Sequence, residues 1–132
     1  MRRAGERGQA LLELALALPI LTLVLLGAIQ LGLWYHAEGV VLAACQDGAR
    51  IASAEGGSVD EGLARANALL RGSLGRIGEG VAIEGAADDE RVLFVARGGM
   101  KSLVPGIGGG TLPLAGEASV FRERFRPGSE TP

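Results

Sequence analysis

The chain has 132 residues, which suits one domain and is too short for a multidomain enzyme. It is 48% hydrophobic and 21% charged, and the apolar excess lies near the N-terminus, which argues against a fully soluble protein. One cysteine, Cys45, and one histidine, His36, exclude an intrachain disulfide and a His/Cys metal cage, and a net charge of -2 argues against an electrostatic nucleic-acid binder.

The N-terminal third contains a candidate membrane span. Residues 14–37 are 24 residues without a charge, nine of them Leu. At a rise of about 1.5 Å per residue this run exceeds the roughly 30 Å hydrocarbon core of a bilayer. Three arginines precede it within residues 1–8, whereas the first positive residue after it is Arg50. The positive-inside rule therefore predicts a cytoplasmic N-terminus and an extracytoplasmic C-terminal domain.

Two other interpretations of this run involve cleavage on its outer side. A secretory signal peptide would need an apolar core of about 7 to 15 residues with a small-residue site directly after it, and the run is longer than that. Residues 42–45, Leu-Ala-Ala-Cys, resemble the lipid-attachment box of a lipoprotein, which would make Cys45 an anchor. Polar residues separate this box from the apolar run, and a small buried thiol on a helix is the simpler alternative.

The helical pattern continues beyond the span. Trp34 and Tyr35 stand where an interfacial aromatic anchor belongs. An apolar stripe that includes Val41 and Ala44 then continues without a proline as far as the glycine pair at 56–57. We therefore predict one long helix over residues 9–57, half in lipid and half in water.

The remaining pattern predicts a small extracytoplasmic domain over residues 58–126. Ser58 followed by Glu61 is a capping box, and a period of 3.6 after it predicts a short amphipathic helix. From Val81 onward the period becomes two, which predicts strands. The expected strands lie at 81–83, 92–97 and 117–125, with a glycine-rich loop at 98–116 and a disordered tail at 127–132. The fold class is α+β, with an antiparallel sheet completed by the long helix.

No pattern in the chain predicts catalysis. The glycine-rich stretch fits neither G-x-x-x-x-G-K-[ST] nor G-x-G-x-x-G, so its glycines are assigned to turns. The acidic run at 88–90 lacks the spacing of a metal loop and is interpreted as an exposed turn. We expect no catalytic residue, no metal, no cofactor, no small-molecule substrate and no nucleic-acid partner.

The most informative residues stand at the head of the span. The sequence Gly-Gln-Ala-Leu-Leu-Glu at 8–13 places the carboxylate of Glu13 at the start of the uncharged run. The helix dipole favours an acidic residue there by about 0.3 to 1 kcal/mol, which accounts for Glu13 without a function. If the bond after Gly8 were cut, Gln9 would carry an α-ammonium with a pKa near 8. That cation would be a partner for Glu13 on an adjacent copy.

These residues resemble a known family. The segment RGQALLELALALP at 7–19 is similar to the R-G-x-A-x-x-E-h-A-h-h-h-P opening of type IV pilin-like proteins, and within them of the TadE-like pseudopilins of the tight-adherence (Flp pilus) system. The segment QDGARIA at 46–52 is similar to their x-x-G-A-R-x-A segment, and Pro105-Gly106 resembles part of their C-terminal region. One departure is Leu14, where many members have Phe.

The resemblance implies a minor pilin or pseudopilin that takes part in pilus assembly. Its basic leader, residues 1–8, would be removed by a prepilin peptidase between Gly8 and Gln9, and Glu13 would neutralise a neighbouring N-terminus. The implied partners are that peptidase, other pilin and pseudopilin subunits, the tight-adherence assembly platform and membrane lipid. The implied location is the inner cell membrane, in a single pass, and an extracellular pilus after assembly.

Five small or basic residues are candidate packing positions: Ala28, Gly32, Gly48, Ala49 and Arg50. The first two have the small-xxx-small spacing of helix contacts in membranes, or are ordinary small residues of a span. The glycine and alanine before the arginine would let another helix or the sheet approach. The arginine itself would pair with a carboxylate such as Asp47 or Glu123, or is simply solvated.

The competing function is that of a permanently membrane-anchored extracytoplasmic binding module. It would be either an uncleaved single-span protein or a lipoprotein attached at Cys45. The N-terminus of the mature chain separates these possibilities, because it would be Gln9 for a pilin, Met1 for an uncleaved anchor and Cys45 for a lipoprotein.

Overall fold

The computed structural model describes residues 2–106 and 108–122. It contains a long N-terminal helix, a second short helix and a three-stranded antiparallel sheet, which confirms the predicted α+β class. The elements in chain order are α1 (Arg2–Ser53), α2 (Val59–Leu74), the single turn α3 (Arg76–Glu79), β1 (Val81–Ala87), β2 (Arg91–Lys101), a 3-10 turn (Gly108–Gly110) and β3 (Thr111–Phe121).

Helix α1 has 52 residues and is therefore about 78 Å long. Pro19 lies inside it without ending it, although proline lacks the N–H that would bond to the carbonyl one turn earlier. The hydroxyl of Thr22 donates a hydrogen bond of 2.8 Å to the Leu18 carbonyl, so this polar side chain needs no partner outside the helix. The N-terminal half of α1 extends away from the rest of the protein, and burial against the domain begins at Gln30.

Both ends of α1 differ from the predicted helix at 9–57. The helix begins at Arg2, so residues 2–8, which belong to the expected leader, are helical as well. It ends at Ser53, because Gly56 adopts a φ of 77° and the Gly57 N–H bonds back to the Ala54 carbonyl at 2.9 Å. Only glycine adopts such a positive φ readily, and this conformation ends the helix.

Helix α2 begins at the predicted capping box. The Glu61 N–H donates to Ser58 Oγ at 3.2 Å, and the Ser58 N–H donates to the Glu61 carboxylate, also at 3.2 Å. Two of the free N–H groups at the helix start are thereby satisfied. The buried side of α2 carries small and aliphatic residues, which are Gly62, Ala66, Leu70 and Leu74.

The sheet has the order β1-β2-β3, with β2 in the centre and both neighbours antiparallel to it. Its strands are longer than predicted, since β2 continues to Lys101 and β3 begins at Thr111 instead of residue 117. The expected loop at 98–116 is thus wrong at both ends. Gly98 lies against the Gly80 backbone, and Pro113 lies on an edge strand, where a missing N–H is tolerated. The expected end of the strand at 125 and the tail at 127–132 lie outside the described residues.

One face of the sheet forms the core with α1 and α2. The predicted alternation at 92–97 is confirmed, because Val92, Phe94 and Ala96 are fully buried while Leu93, Val95 and Arg97 lie on the other face. The C-terminal half of α1 supplies a large share of the core through Ala37, Val41, Ala44, Cys45, Ala49 and Ala52. The domain therefore depends on the helix that also carries the apolar segment.

Candidate functional site: the N-terminal segment and helix α1

The predicted processing site lies in the first turns of α1. Gly8 and Gln9 are both exposed, and a Cβ built on Gly8 would have no heavy atom within 4 Å. A glycine inside a helix costs about 1 kcal/mol relative to alanine. Neither space nor backbone conformation within the chain requires glycine at this position. Any requirement for Gly8 must therefore come from another molecule.

Glu13 lies one helical turn after Gln9, on the same side of α1. Its side chain is exposed, and it has no ion pair among the residues that the structure describes. A carboxylate at the edge of an apolar surface has a high desolvation cost if that surface becomes covered. A cation supplied from outside the chain would offset that cost.

The apolar segment of α1 has no partner within the chain. Eleven large aliphatic side chains between Leu11 and Ile29 have exposed fractions of 48 to 67%. The helix is long and apolar enough to cross a membrane, and its most apolar part has no buried residue. A continuous apolar surface of this size is unstable in water. It requires either lipid or other helices around it.

Ala28 and Gly32 are exposed on this apolar half of the molecule. A Cβ on Gly32 would meet nothing within 4 Å, so neither residue is used for packing within the chain. Their surface is open to a helix from another subunit.

Gly48 and Ala49 are both buried, where α1 packs on the domain. A Cβ on Gly48 would lie 2.9 Å from the Gly62 carbonyl oxygen and 2.9 Å from Cε1 of Phe94. Gly62 is the matching residue of α2, and sequence reasoning did not identify it. A glycine in the first turn of an amphipathic helix was the available signal, because it destabilises the helix unless close packing requires it.

Arg50 does not make the ion pair proposed with Asp47. Its side chain is exposed, and Asp47 instead accepts a 2.8 Å bond from Nε of Arg65, which links α1 to α2. Among the described residues the Arg50 guanidinium has no carboxylate partner, and the other proposed partner, Glu123, lies outside them. Arg50 therefore contributes its backbone to the helix end, where its carbonyl accepts a bond from the Ser53 hydroxyl at 2.9 Å.

Cys45 lies in the core and is fully buried. Burial raises the pKa of its thiol, and a weaker backbone hydrogen bond from Ala96 acts in the opposite direction. Its Sγ donates to the Gly116 carbonyl at 3.6 Å. The thiol is thus held in an environment that disfavours the reactive thiolate. No group of three or more potential metal ligands occurs among the described residues.

Two side chains of α1 form hydrogen bonds to the β3 strand and to the connection that precedes it. The sequence did not predict this role for them. Nε1 of Trp34 donates to the Pro113 carbonyl at 2.9 Å, so this expected membrane anchor is also a contact to β3. Gln30 is only 5% exposed, and its Oε1 accepts the Leu103 N–H at 2.5 Å. A lone amide in an apolar run was the signal for Gln30, although its partner is 73 residues away. Residues 30–37 of the predicted span therefore face the domain on one side.

The comparison with protein families matches this same helix. Residues 8–50 match the sequence model of the family described as TadE-like protein. No curated protein and no solved structure matches the chain. The matched segment begins at Gly8, includes the exposed apolar surface and ends at Arg50. Residues 8–50, about a third of the chain, are thus similar to TadE-like proteins.

Proposed function

We propose that the protein is a minor pilin or pseudopilin that takes part in assembly of a tight-adherence (Flp-type) pilus. One observation carries the proposal: the segment that matches the TadE-like family is also the segment whose apolar side chains have no partner within the chain. A helix with such a surface is suited to two environments, the lipid of a membrane and the helix bundle of a filament.

Processing is the first step of the proposed function. A prepilin peptidase cuts the bond between Gly8 and Gln9 on the cytoplasmic face of the membrane. This bond lies near the start of α1 and is exposed. The terminal turns of a helix open at a low free-energy cost, so the extended conformation that a peptidase needs is accessible. Cleavage removes the basic leader and leaves an α-ammonium on Gln9.

Assembly is the second step. The helix leaves the bilayer, and its apolar surface exchanges lipid for the helices of other subunits and of the tight-adherence assembly platform. The Glu13 carboxylate then lies in a poorly hydrated environment, where an unpaired charge is destabilising. The new ammonium of a neighbouring subunit supplies the opposite charge, which favours the correct axial position of one subunit against the next.

The competing function is a permanent membrane anchor. Lipid attachment at Cys45 would require removal of residues 1–44, and that segment contains the buried core residues Ala37, Val41 and Ala44. The position of Cys45 in the core therefore favours the pilin over the lipoprotein. An uncleaved single-span anchor is the alternative that an experiment must distinguish from the pilin.

The test uses a host strain that lacks the protein and is complemented with variants of the full chain. Glu13→Gln keeps the side-chain shape and removes the charge, whereas the control Glu6→Gln changes a carboxylate in the leader. We expect both variants to be processed, but only Glu13→Gln to reduce surface pili. Normal piliation with Glu13→Gln would contradict the charge pairing. Normal piliation of the strain without the protein would contradict the proposed function itself.

A further inference from the structure

The apolar segment of α1 ends where the domain begins. The uncharged stretch from Leu14 to Ile29 has 16 residues and is about 24 Å long, a few ångströms less than the roughly 30 Å of a bilayer core. The next residue is Gln30, which is buried and accepts the Leu103 N–H. The connection between β2 and β3 therefore lies beside the helix at the level where the uncharged, exposed segment ends.

This connection has the composition of a membrane-surface contact. We call residues 101–106 the basal loop. Leu103 is 49% exposed although its backbone is fixed to α1, and Lys101 and Pro105 are exposed as well. Lys101 is the single charged residue in the whole stretch 98–116, which contains no Asp or Glu.

The opposite end of the sheet has the opposite charge. The turn between β1 and β2 has the sequence Asp-Asp-Glu at residues 88–90. Strand β2, with 11 residues, separates this turn from the basal loop, a distance of about 35 Å. The acidic turn at 88–90 therefore lies far from the apolar segment, and Lys101 lies beside that segment. The carboxylates nearer the basal end are Glu38 of α1 and Glu79, which precedes β1.

We infer that the basal loop is a second contact with the membrane, at which Leu103 enters the interfacial region of the outer leaflet and Lys101 lies among anionic lipid headgroups. Apolar side chains and lysines are favoured at this depth, and carboxylates are disfavoured near anionic lipid. The occupant of this surface is the bilayer that surrounds α1, because the loop lies against the helix at its point of exit. The inference rests on the proposed membrane insertion of α1. It places the domain on the bilayer surface instead of on a free stalk.

The test measures the depth of three positions in the full chain. Cys45→Ala removes the buried thiol, and single cysteines are then introduced by Val24→Cys in the apolar segment, Leu103→Cys in the basal loop and Asp88→Cys in the distal turn. Each carries an environment-sensitive fluorophore, in nanodiscs of anionic phospholipid that contain a quencher in the acyl chains or on the headgroup. All three native side chains are exposed, so the labels are compatible with the fold. The Trp34 emission spectrum of each variant is compared with that of the wild type before labelling. An unchanged spectrum verifies that the sheet still packs on α1.

We expect the acyl-chain quencher to act on position 24, the headgroup quencher to act on position 103, and neither to act on position 88. If position 24 is quenched and position 103 behaves like position 88, the inference is overturned while membrane insertion stands. If position 24 is not quenched, membrane insertion fails, and the inference fails with it.

A second variant tests the charge of the loop. Lys101→Glu, combined with the label at position 103, is expected to reduce headgroup quenching in anionic nanodiscs and to have a smaller effect in nanodiscs of neutral lipid. Equal quenching with and without this substitution in anionic lipid would overturn the role of Lys101.

Discussion

The backbones of Gly48 and Gly62 meet where α1 crosses α2, and the ring of Phe94 fills the space beside them. A Cβ on Gly62 would overlap the Gly48 carbonyl oxygen, and a Cβ on Gly48 would be 2.9 Å from the Gly62 carbonyl oxygen. The two helices are therefore closer than any side chain at these positions would allow. This crossing joins the TadE-like segment to the remainder of the domain.

We expect Gly48→Ala to lower the free energy of unfolding by about 1 to 3 kcal/mol, because either the helices or the Phe94 ring must move. The matched control is Gly39→Ala on the same helix, where an added Cβ would meet nothing within 4 Å. Alanine is the better helix former, so this control should be neutral or stabilising by up to about 1 kcal/mol. Urea unfolding of the full chain in detergent, followed by Trp34 fluorescence, measures both. Equal effects of the two substitutions would contradict the close crossing.

The buried thiol predicts a pH dependence of stability. Burial raises the pKa of Cys45 in the folded chain. An unfolded cysteine has an ordinary pKa of about 8.5. Above that pH the unfolded chain loses a proton that the folded chain retains, so the free energy of unfolding decreases as pH rises. We expect this decrease to be steeper for the wild type than for Cys45→Ala above about pH 8.5. Urea unfolding at each pH measures the difference, and parallel profiles over this range would show that the core does not exclude the thiolate.

Substitution at the processing site predicts a block in maturation. Gly8→Leu should leave the precursor uncut in cells that contain the peptidase, because the side chain obstructs access to the adjacent bond. Gly5→Leu is the matched control, since both glycines lie on the same exposed helix with nothing within 4 Å of an added Cβ. The two variants should fold alike. Mass spectrometry should find the leader retained in Gly8→Leu and removed in Gly5→Leu. Normal processing of Gly8→Leu would place the cleavage site elsewhere.

Those parts of the fold that depend on neighbours in sequence were predictable. The cap of α2 requires only Ser58 and Glu61, which are three residues apart and satisfy each other's backbone. The alternation around Phe94 likewise follows from one buried face of the sheet. The similarity of residues 8–50 to TadE-like proteins was also predictable, because the residues that carry it at 8–13 and 46–50 are contiguous in sequence.

Contacts between distant parts of the chain were not predictable. Pro113 suggested a loop, but it lies in β3. Its place there depends on an edge position and on the Trp34 hydrogen bond, and the neighbouring residues determine neither. The partner of Gln30 is fixed by the way the sheet docks on α1. For the same reason the C-terminal limit of the exposed apolar segment, at Ile29, could be identified only from the contacts between α1 and the domain.

The central claim is that a peptidase frees the N-terminus of this apolar helix, and the mass of the mature polypeptide tests it most directly. The protein is purified from its host membranes and from sheared surface material, and its intact mass and N-terminal peptide are measured. A chain that begins at Gln9 in both fractions is the predicted result. A chain that retains Met1 and the arginine leader would contradict the claim and identify a permanent anchor.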